Sequence, residues 1–350
     1  MSIEAAAPAL ISAALFGATT PIAKLLGVQI PPLMLAGLLY LGSGVGLAVL
    51  IAIRGLRRRG RHVVRLRIPK DEWPWLFGAI ATGGVIGPVL LMTGLQTVDG
   101  ASASLLLNCE GVLTALIAWW VFRENADASI VAGMGLILLG GVLLAWQPGR
   151  LALSSGALLI VGACLAWAID NNLTRKLSSN DAMSIACVKG LAAGLCNATI
   201  ALAQGVSWPG LSLVATTLAV GFAGYGFSLV LFVIALRTLG TARTGAYFSV
   251  APLFGVVVAL LVWPAVPHAT FWIAASLMAV GVWLHLRERH THPHTHEQAE
   301  HAHPHVHDMH HRHDHGFDWD DDDGHTHVHS HARLTHAHPH YPDAQHRHTH

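Results

Sequence analysis

Ten runs of mostly apolar residues follow one another along this chain: Ala5–Leu26, Leu33–Ile53, Trp73–Leu95, Ala101–Phe122, Ser129–Trp146, Ser155–Thr174, Met183–Gln204, Ser212–Leu236, Ala242–Trp263 and Ala269–Leu286. A helix needs about 20 such residues to cross the hydrocarbon core of a bilayer. In lipid the backbone must also satisfy its own hydrogen bonds, which leaves helices or closed barrels as spanning structures. The pattern predicts an all-α integral membrane protein of ten transmembrane helices. Only 12% of the 350 residues are charged and 53% are hydrophobic, against about 25% charged in a soluble domain. The average hides a boundary. From Arg287 onward the chain turns to His, Asp, Pro and other polar residues, which cannot build a core.

The N-terminus, MSIEAAAPALISAALFG, has no basic stretch ahead of its apolar run and reads as a retained first span rather than a cleaved signal. Cys109, Cys164, Cys187 and Cys196 all lie in apolar runs with no CxxC pair, so packing is expected of them rather than disulfides or a zinc site. Orientation follows from the one long connection. Arg54, Arg57, Arg58, Arg59, Arg61, Arg65, Arg67 and Lys70 lie between spans two and three, and positive loops stay cytoplasmic. Alternation then puts Arg123, Arg175, Lys176, Arg237, Arg243, Arg287 and Arg289 on the same side, with Arg150 outside. Both termini are expected in the cytoplasm of a bacterial inner-membrane protein.

The two halves of the chain can be overlaid. FGATTPIAKL in span one matches WAIDNNLTRK in span six, setting Phe16 on Trp167, Thr19 on Asp170 and Lys24 on Arg175. LLLNCEGVLTALIAWW in span four matches AYFSVAPLFGVVVALLV in span nine, setting Glu110 on Pro252. Five spans per half is an odd number, so the second half inserts upside down, and inverted repeats place the substrate site near the midplane between them. The expected division is 1–147 for the first repeat, 148–286 for the second and 287–350 for the tail. With Gly17, Pro21 and Lys24 ending span one, Trp167, Arg175 and Lys176 in span six, and Ala251-Pro252 in span nine, the chain resembles the EamA-type permeases of the drug/metabolite transporter superfamily over about residues 5–286. The resemblance implies a ten-helix secondary carrier working by alternating access, with spans five and ten at the periphery. It does not name a cargo, since the substrates of such carriers range over amino acids, sugars, nucleotide-sugars and drugs. Glu110 stands where span four of these proteins usually carries proline. Glu124 supplies the acidic residue common after span four, while Trp263-Pro264 replaces its second-half counterpart.

Besides Arg243 at the very start of span nine, four charges fall inside the spans: Lys24, Glu110, Asp170 and Lys189. An ionised side chain at the centre of a membrane helix costs about 2.5–3.5 kcal/mol on insertion scales. Lys24 and Lys189 lie close enough to a membrane face to snorkel, whereas Glu110 sits mid-span. Three states make it tolerable: protonation, because burial disfavours the charged form; pairing with Lys24, Lys189 or Arg243; or binding of a cation. A protonated carboxyl bonded to Asn108 or a backbone carbonyl is the purely structural alternative. Asp170, Asn171 and Asn172 wrap most of a helical turn, with Thr174 one turn beyond Asp170 on the same face. Glu110, Asn108, Asp170, Asn171, Asn172, Thr19 and Thr20 form the candidate transport site, and two acids favour a cationic or proton-exchanged cargo. Gly83-Gly84 with Gly87-Pro88, and Thr20-Pro21, are candidates for local unwinding, while Gly42/Gly46 and Gly190/Gly194 suit close helix packing.

The tail holds 22 of the 25 histidines, mostly as His-x-His: His290, His292, His294, His296, His301, His303, His305, His307, His325, His327, His329, His331, His336, His338 and His340 lead the set. Imidazole is the commonest ligand for zinc, nickel and copper, and period-two spacing in an extended chain puts the rings on one side. The tail is expected to bind a divalent transition metal (Zn, Ni, Co or Cu) and to be disordered without it. The transport core itself calls for no cofactor, and no nucleophile–base pattern points to an enzyme. Expected partners are the lipid bilayer, a small solute or metal ion and, for assembly, a homodimer; nucleic acid is not expected. The reading drawn from these residues is proton-coupled export of a divalent metal ion (Zn, Ni or Co). The alternative is a carrier of a small metabolite or amino acid whose tail senses or buffers metal, and a third is a non-transporting membrane metal sensor or chaperone.

Overall fold

The computed structural model describes residues 3–57, 72–122, 128–146, 154–174, 182–239, 248, 250–264 and 267–287, with 291–296, 299–305, 325–331 and 334–339 in the tail. Residues Met1–Glu288 and Arg289–His350 form two separate units. In the first unit, seven described helical stretches are long and apolar enough to cross a membrane: Ala7–Leu26, Pro32–Gly55, Trp73–Gly94, Gly100–Ile117, Ser155–Thr174, Met183–Ala203 and Leu211–Ala235. Three shorter apolar helices, Val131–Ala145, Ala251–Val262 and Ala269–Leu284, stand where spans five, nine and ten are expected. Arg58–Lys70 of the basic loop, Arg123, Glu124, Arg150, Arg175, Lys176, Arg243 and Arg289 lie outside the described residues.

The bundle is apolar on its outside as well as in its core. Its centre is rich in small residues, including Ala13, Ala36, Ala163, Ala168 and Ala193, while Val49, Leu138, Trp272, Ile273 and Trp283 face outward. Between helices in lipid the association comes from close packing rather than from hiding apolar surface, and small residues permit it. Helix α1 (Ile3–Leu26) shows this at Gly17: a Cβ there would overlap the carbonyl oxygen of Ala251 on a neighbouring helix. Helix α2 (Pro32–Arg57) and helix α9 (Ala182–Ala203) meet through Gly44 and Gly190 in the same way; a Cβ on Gly190 would lie 2.8 Å from the Gly44 nitrogen. Helix α7 (Ala128–Ala145) and the last helix, α13 (Ala269–Arg287), pack on each other and expose apolar faces, as the peripheral position of spans five and ten requires.

Several expected spans are not plain helices. Span three is helix α3 (Trp73–Ala79), a π-helical segment over Ile80–Ile86, and helix α4 (Gly87–Gly94). Span four divides at Leu107 into helices α5 (Gly100–Leu106) and α6 (Asn108–Phe122). Helix α8 (Ser155–Thr174) is continuous. Span eight is helix α10 (Leu211–Gly221), a second π-helical segment over Phe222–Phe227, and helix α11 (Ser228–Leu239). Helix α12 (Ala251–Val262) starts with Pro252 in its first turn. The two π segments begin at residues separated by the same interval as Glu110 and Pro252, so they are repeat equivalents. Unwinding was expected at Gly83-Gly84, where the π segment lies, but also at Thr20-Pro21, where α1 instead runs unbroken. Pro21 has no N–H for the Gly17 carbonyl; that carbonyl is packed against Gly255 of α12.

In the tail, strand β1 (Thr291–His296) pairs antiparallel with β4 (Leu334–Pro339), and β2 (Ala299–His305) with β3 (His325–His331). This differs from the expected absence of secondary structure. Alternation of His with Thr, Ala, Val or Pro has the period of a strand, and that periodicity suits a ladder.

Candidate functional site

Pro88 explains the chemistry of the first π segment. With no N–H, it leaves one carbonyl unpaired four residues back in α-type bonding, at Gly84, or five back in π-type bonding, at Gly83. Gly87 N–H reaches back five residues to the Thr82 carbonyl. Both freed carbonyls are satisfied by side chains from other helices. The Gly83 carbonyl accepts from the Tyr40 hydroxyl of α2 at 2.7 Å and from Trp167 Nε1 of α8 at 2.9 Å. The Gly84 carbonyl accepts from Asn197 Nδ2 of α9 at 3.0 Å. Asn197 is fully buried, and its Oδ1 has no partner among the described residues. The second π segment has no proline. There Ser228 N–H reaches the Ala223 carbonyl, and the Ser228 hydroxyl donates to the Gly224 carbonyl.

Asp170 does not stand free. Lys189 of α9 donates to its Oδ1 at 2.5 Å and its Oδ2 at 2.7 Å, and Thr174 donates to Oδ1 at 2.9 Å. The side chains are 10% exposed for Asp170 and 15% for Lys189, so this is a largely desolvated, two-pronged ion pair. A Cβ on Gly83 would overlap the Asp170 carboxylate, and a Cβ on Gly224 would overlap the Thr19 hydroxyl. The overlay of Thr19 on Asp170 is therefore realised in space: each packs against a π-segment glycine of the opposite repeat.

Glu110 is in the first turn of α6, beyond the break at Leu107. Its Oε1 accepts from Asn171 Nδ2 of α8 at 2.9 Å, and the same amide lies 3.4 Å from Thr114 Oγ1. Neither a cation nor Asn108 pairs with Glu110 among the described residues. Lys24 donates instead to the Leu95 carbonyl at 2.6 Å, Lys189 to Asp170, and Asn108 to the Leu105 carbonyl at 3.0 Å. Arg243 lies outside the described residues. Asn172 turns inward and donates to the carbonyls of Ala168 at 2.8 Å and Thr114 at 3.3 Å. Thr19 donates to the Leu15 carbonyl of its own helix, and Thr20 is buried. The arrangement thus separates the candidates into two groups. Asn171 is exposed and Glu110 and Asn108 are half-buried; Asp170, Asn172, Thr19 and Thr20 are buried, with Asp170 and Thr19 against π-segment glycines.

Helices α1 and α2, the second π segment and residue 248 contribute an aromatic cluster. Phe16 meets Tyr225 edge-on at 5.8 Å between ring centroids and Phe248 at 5.4 Å; Tyr40 and Tyr225 are 5.6 Å apart. Tyr40, Tyr225, Thr114 and Asn197 carry no charge and were not singled out from sequence. Each lies in a run that also holds other hydrogen-bonding side chains, so nothing local in the sequence set it apart. Among the residues whose side chains are described, no group of three or more His, Cys, Asp or Glu is arranged to hold a metal ion. Of the tail histidines, His290, His307, His310, His311, His313, His315, His340, His346, His348 and His350 lie outside the described residues, and the others are described by backbone only.

Comparison with known proteins places this architecture. An uncharacterized transporter of Methanothermobacter thermautotrophicus is 26% identical over 261 residues, covering 71% of this chain and 76% of that protein. A protein of Pseudomonas paraeruginosa described as "Probable 4-amino-4-deoxy-L-arabinose-phosphoundecaprenol flippase subunit ArnE" is 37% identical, covering 33% of this chain and 96% of its own. A solved crystal structure shares the fold at a TM-score of 0.59 and 20% identity, covering 81% of this chain and 96% of that one. The EamA-like transporter family matches residues 5–146 and again 154–287. This multi-pass membrane protein, with its two repeats, belongs to the EamA-like transporter family.

Proposed function

We propose that the chain is a secondary transporter that exchanges protons for a small, singly charged organic cation at Glu110, by alternating access between its two repeats. The observation that carries this reading is the state of the two acids. Asp170 is neutralised by Lys189, while among the described residues Glu110 has only a neutral amide, Asn171, on Oε1. One uncompensated carboxyl among helices in lipid calls for a proton or a cation, and one at a time. Metal export drew its support from the His-rich tail together with Glu110 and Asp170; the engagement of Asp170 by Lys189 leaves one acid for cargo and supports reading it as a site for a singly charged solute. The amino sugar in the printed name of the ArnE relative is compatible with an amine-bearing cargo. The bacterial inner membrane, with both termini cytoplasmic, and export as the direction complete the proposal. A homodimer is its expected assembly.

The test is flux in proteoliposomes holding the full chain, with and without a proton gradient. Amines and amino acids are run in parallel with Zn2+ and Ni2+. Proton-driven movement of an organic cation, lost in Glu110→Gln, is the expected result. Proton-driven movement of Zn2+ or Ni2+ with no organic flux would restore the metal reading.

A separate observation favours metal binding by the tail as a sensor or buffer. In the ladders His292 faces His338 and His294 faces His336, while His301, His303 and His305 face His329, His327 and His325. Directly opposed residues, and those two apart on one strand, share a face of a ladder. Removing the tail after Leu286 should therefore change cellular Zn2+ or Ni2+ content while leaving organic flux intact.

A further inference from the structure

Helices α1 and α4 finish side by side, and each supplies a donor to the other's end. Lys24 Nζ, in the last turn of α1, donates to the carbonyl of Leu95, the residue that caps α4, at 2.6 Å. Gln96 Nε2, just past α4, donates to the Gly27 carbonyl, just past α1, at 3.2 Å. The last carbonyls of a helix lack intrahelical partners and carry the negative end of its dipole. The ammonium therefore lies where two like-signed helix ends would otherwise repel.

The seam beside this junction is tight. A Cβ on Gly100, the first residue of α5, would lie 2.9 Å from the Trp263 ring and 3.5 Å from Pro21. Ala101 and Leu105 of α5 pack with Val256 and Ala259 of α12. Past the break at Leu107 the neighbours change. Helix α5 packs on α1 and α12, whereas α6, which carries Glu110, has α7 and α8 as its main neighbours among the described residues. A Cβ on Gly111 would meet nothing within 4 Å. Among the described residues, span four is thus joined to α1 and α12 chiefly at the end where it starts.

We propose that Lys24 and Gln96 form a latch that holds this end of the transport path shut, on the side that the basic loop marks as the outside. The proposal rests on the reading of alternating access and adds the contact that has to open. Lys24 does most of the holding, because a charged donor in a half-buried site outweighs a neutral amide on the surface.

Thiol labelling reads the latch without any cargo. The reporter is Ala101→Cys, at a seam position 5% exposed, with the exposed Cys196 changed to serine. A membrane-impermeant maleimide is added to right-side-out and to inverted membrane vesicles holding the full chain. From the outer face, Lys24→Met should speed labelling about tenfold and Gln96→Leu about threefold. Lys24→Arg, which keeps a charged donor, should change it less than about twofold. From the inner face all rates should stay at the native level, and unchanged thermal unfolding confirms that each variant is folded. Unchanged outer labelling in both Lys24→Met and Gln96→Leu refutes the latch. So does an equal rise in Lys24→Arg, a rise from the inner face, or native labelling as fast as that of denatured protein. Proton-driven flux in the same vesicles scores the transport reading separately. If labelling rises as expected but Glu110→Gln keeps native flux, the latch stands and exchange at Glu110 fails. If labelling is unchanged and Glu110→Gln abolishes flux, the latch alone fails.

Discussion

Replacing Lys189 by methionine strands Asp170 in the membrane interior with one remaining donor, the Thr174 hydroxyl. The native pair is two-pronged, at 2.5 and 2.7 Å, and no more than 15% exposed on either side. Breaking a buried pair from one side costs about 3–5 kcal/mol, and an unpaired acid at a helix centre costs about 2.5–3.5 kcal/mol on insertion scales. The two routes converge on about 3 kcal/mol for Lys189→Met. Asp170→Asn should cost less, about 1–2 kcal/mol, because the long stem of Lys189 can carry its ammonium toward the membrane face. The double variant removes both charges and should recover about 2 kcal/mol relative to Lys189→Met alone. Reversible unfolding of the purified protein in mixed micelles with rising SDS measures all three. A Lys189→Met loss under about 1 kcal/mol, the value of an exposed pair, would refute the assignment of this contact as a buried ion pair. So would a double-variant loss equal to the sum of the singles.

Other perturbations test neighbouring parts of the account. Gly17→Ala places a methyl on the Ala251 carbonyl and should cost about 1–3 kcal/mol in the same unfolding assay. Tyr40→Phe and Trp167→Phe each leave the Gly83 carbonyl one donor and should cost about 0.5–1.5 kcal/mol. Together they orphan it, so their combined loss should exceed the sum of the singles. In the tail, exchanging His292 with Pro293 and His294 with Thr295 keeps the histidine count but moves two rings off the shared face. Ni2+ affinity of the full chain should fall if the ladder positions the ligands, and should stay constant if the histidines act as a random chain.

The apolar runs of the bundle were legible because length and hydropathy alone specify a membrane helix, and the repeat because both halves retain recognisable span-one and span-four motifs. The π segment of span three was legible in part: Gly83-Gly84 ahead of Pro88 marked a weak point, but the hydrogen-bond shift depends on Tyr40, Trp167 and Asn197, which arrive from three other helices. The second π segment carries no proline and left no such mark. Charge was read correctly as costly. Which charges neutralise each other was not readable, because Asp170 and Lys189 sit on different helices and their meeting depends on the registry of α8 against α9. The same applies to Glu110, whose partner is Asn171 rather than the adjacent Asn108. Helix geometry turns Asn108 back to the Leu105 carbonyl at the break.

Proton counting on the purified carrier tests the role of Glu110 most directly. An amine that the proteoliposomes carry is added to the full chain in weakly buffered detergent, and the pH change is followed beside the heat of binding. If one carboxyl serves proton and cargo in turn, the native chain releases close to one proton per amine bound when the solution starts acidic, and Glu110→Gln releases none. Equal proton release from both proteins, or saturable binding to the native chain with no release at any starting pH, would contradict exchange at Glu110.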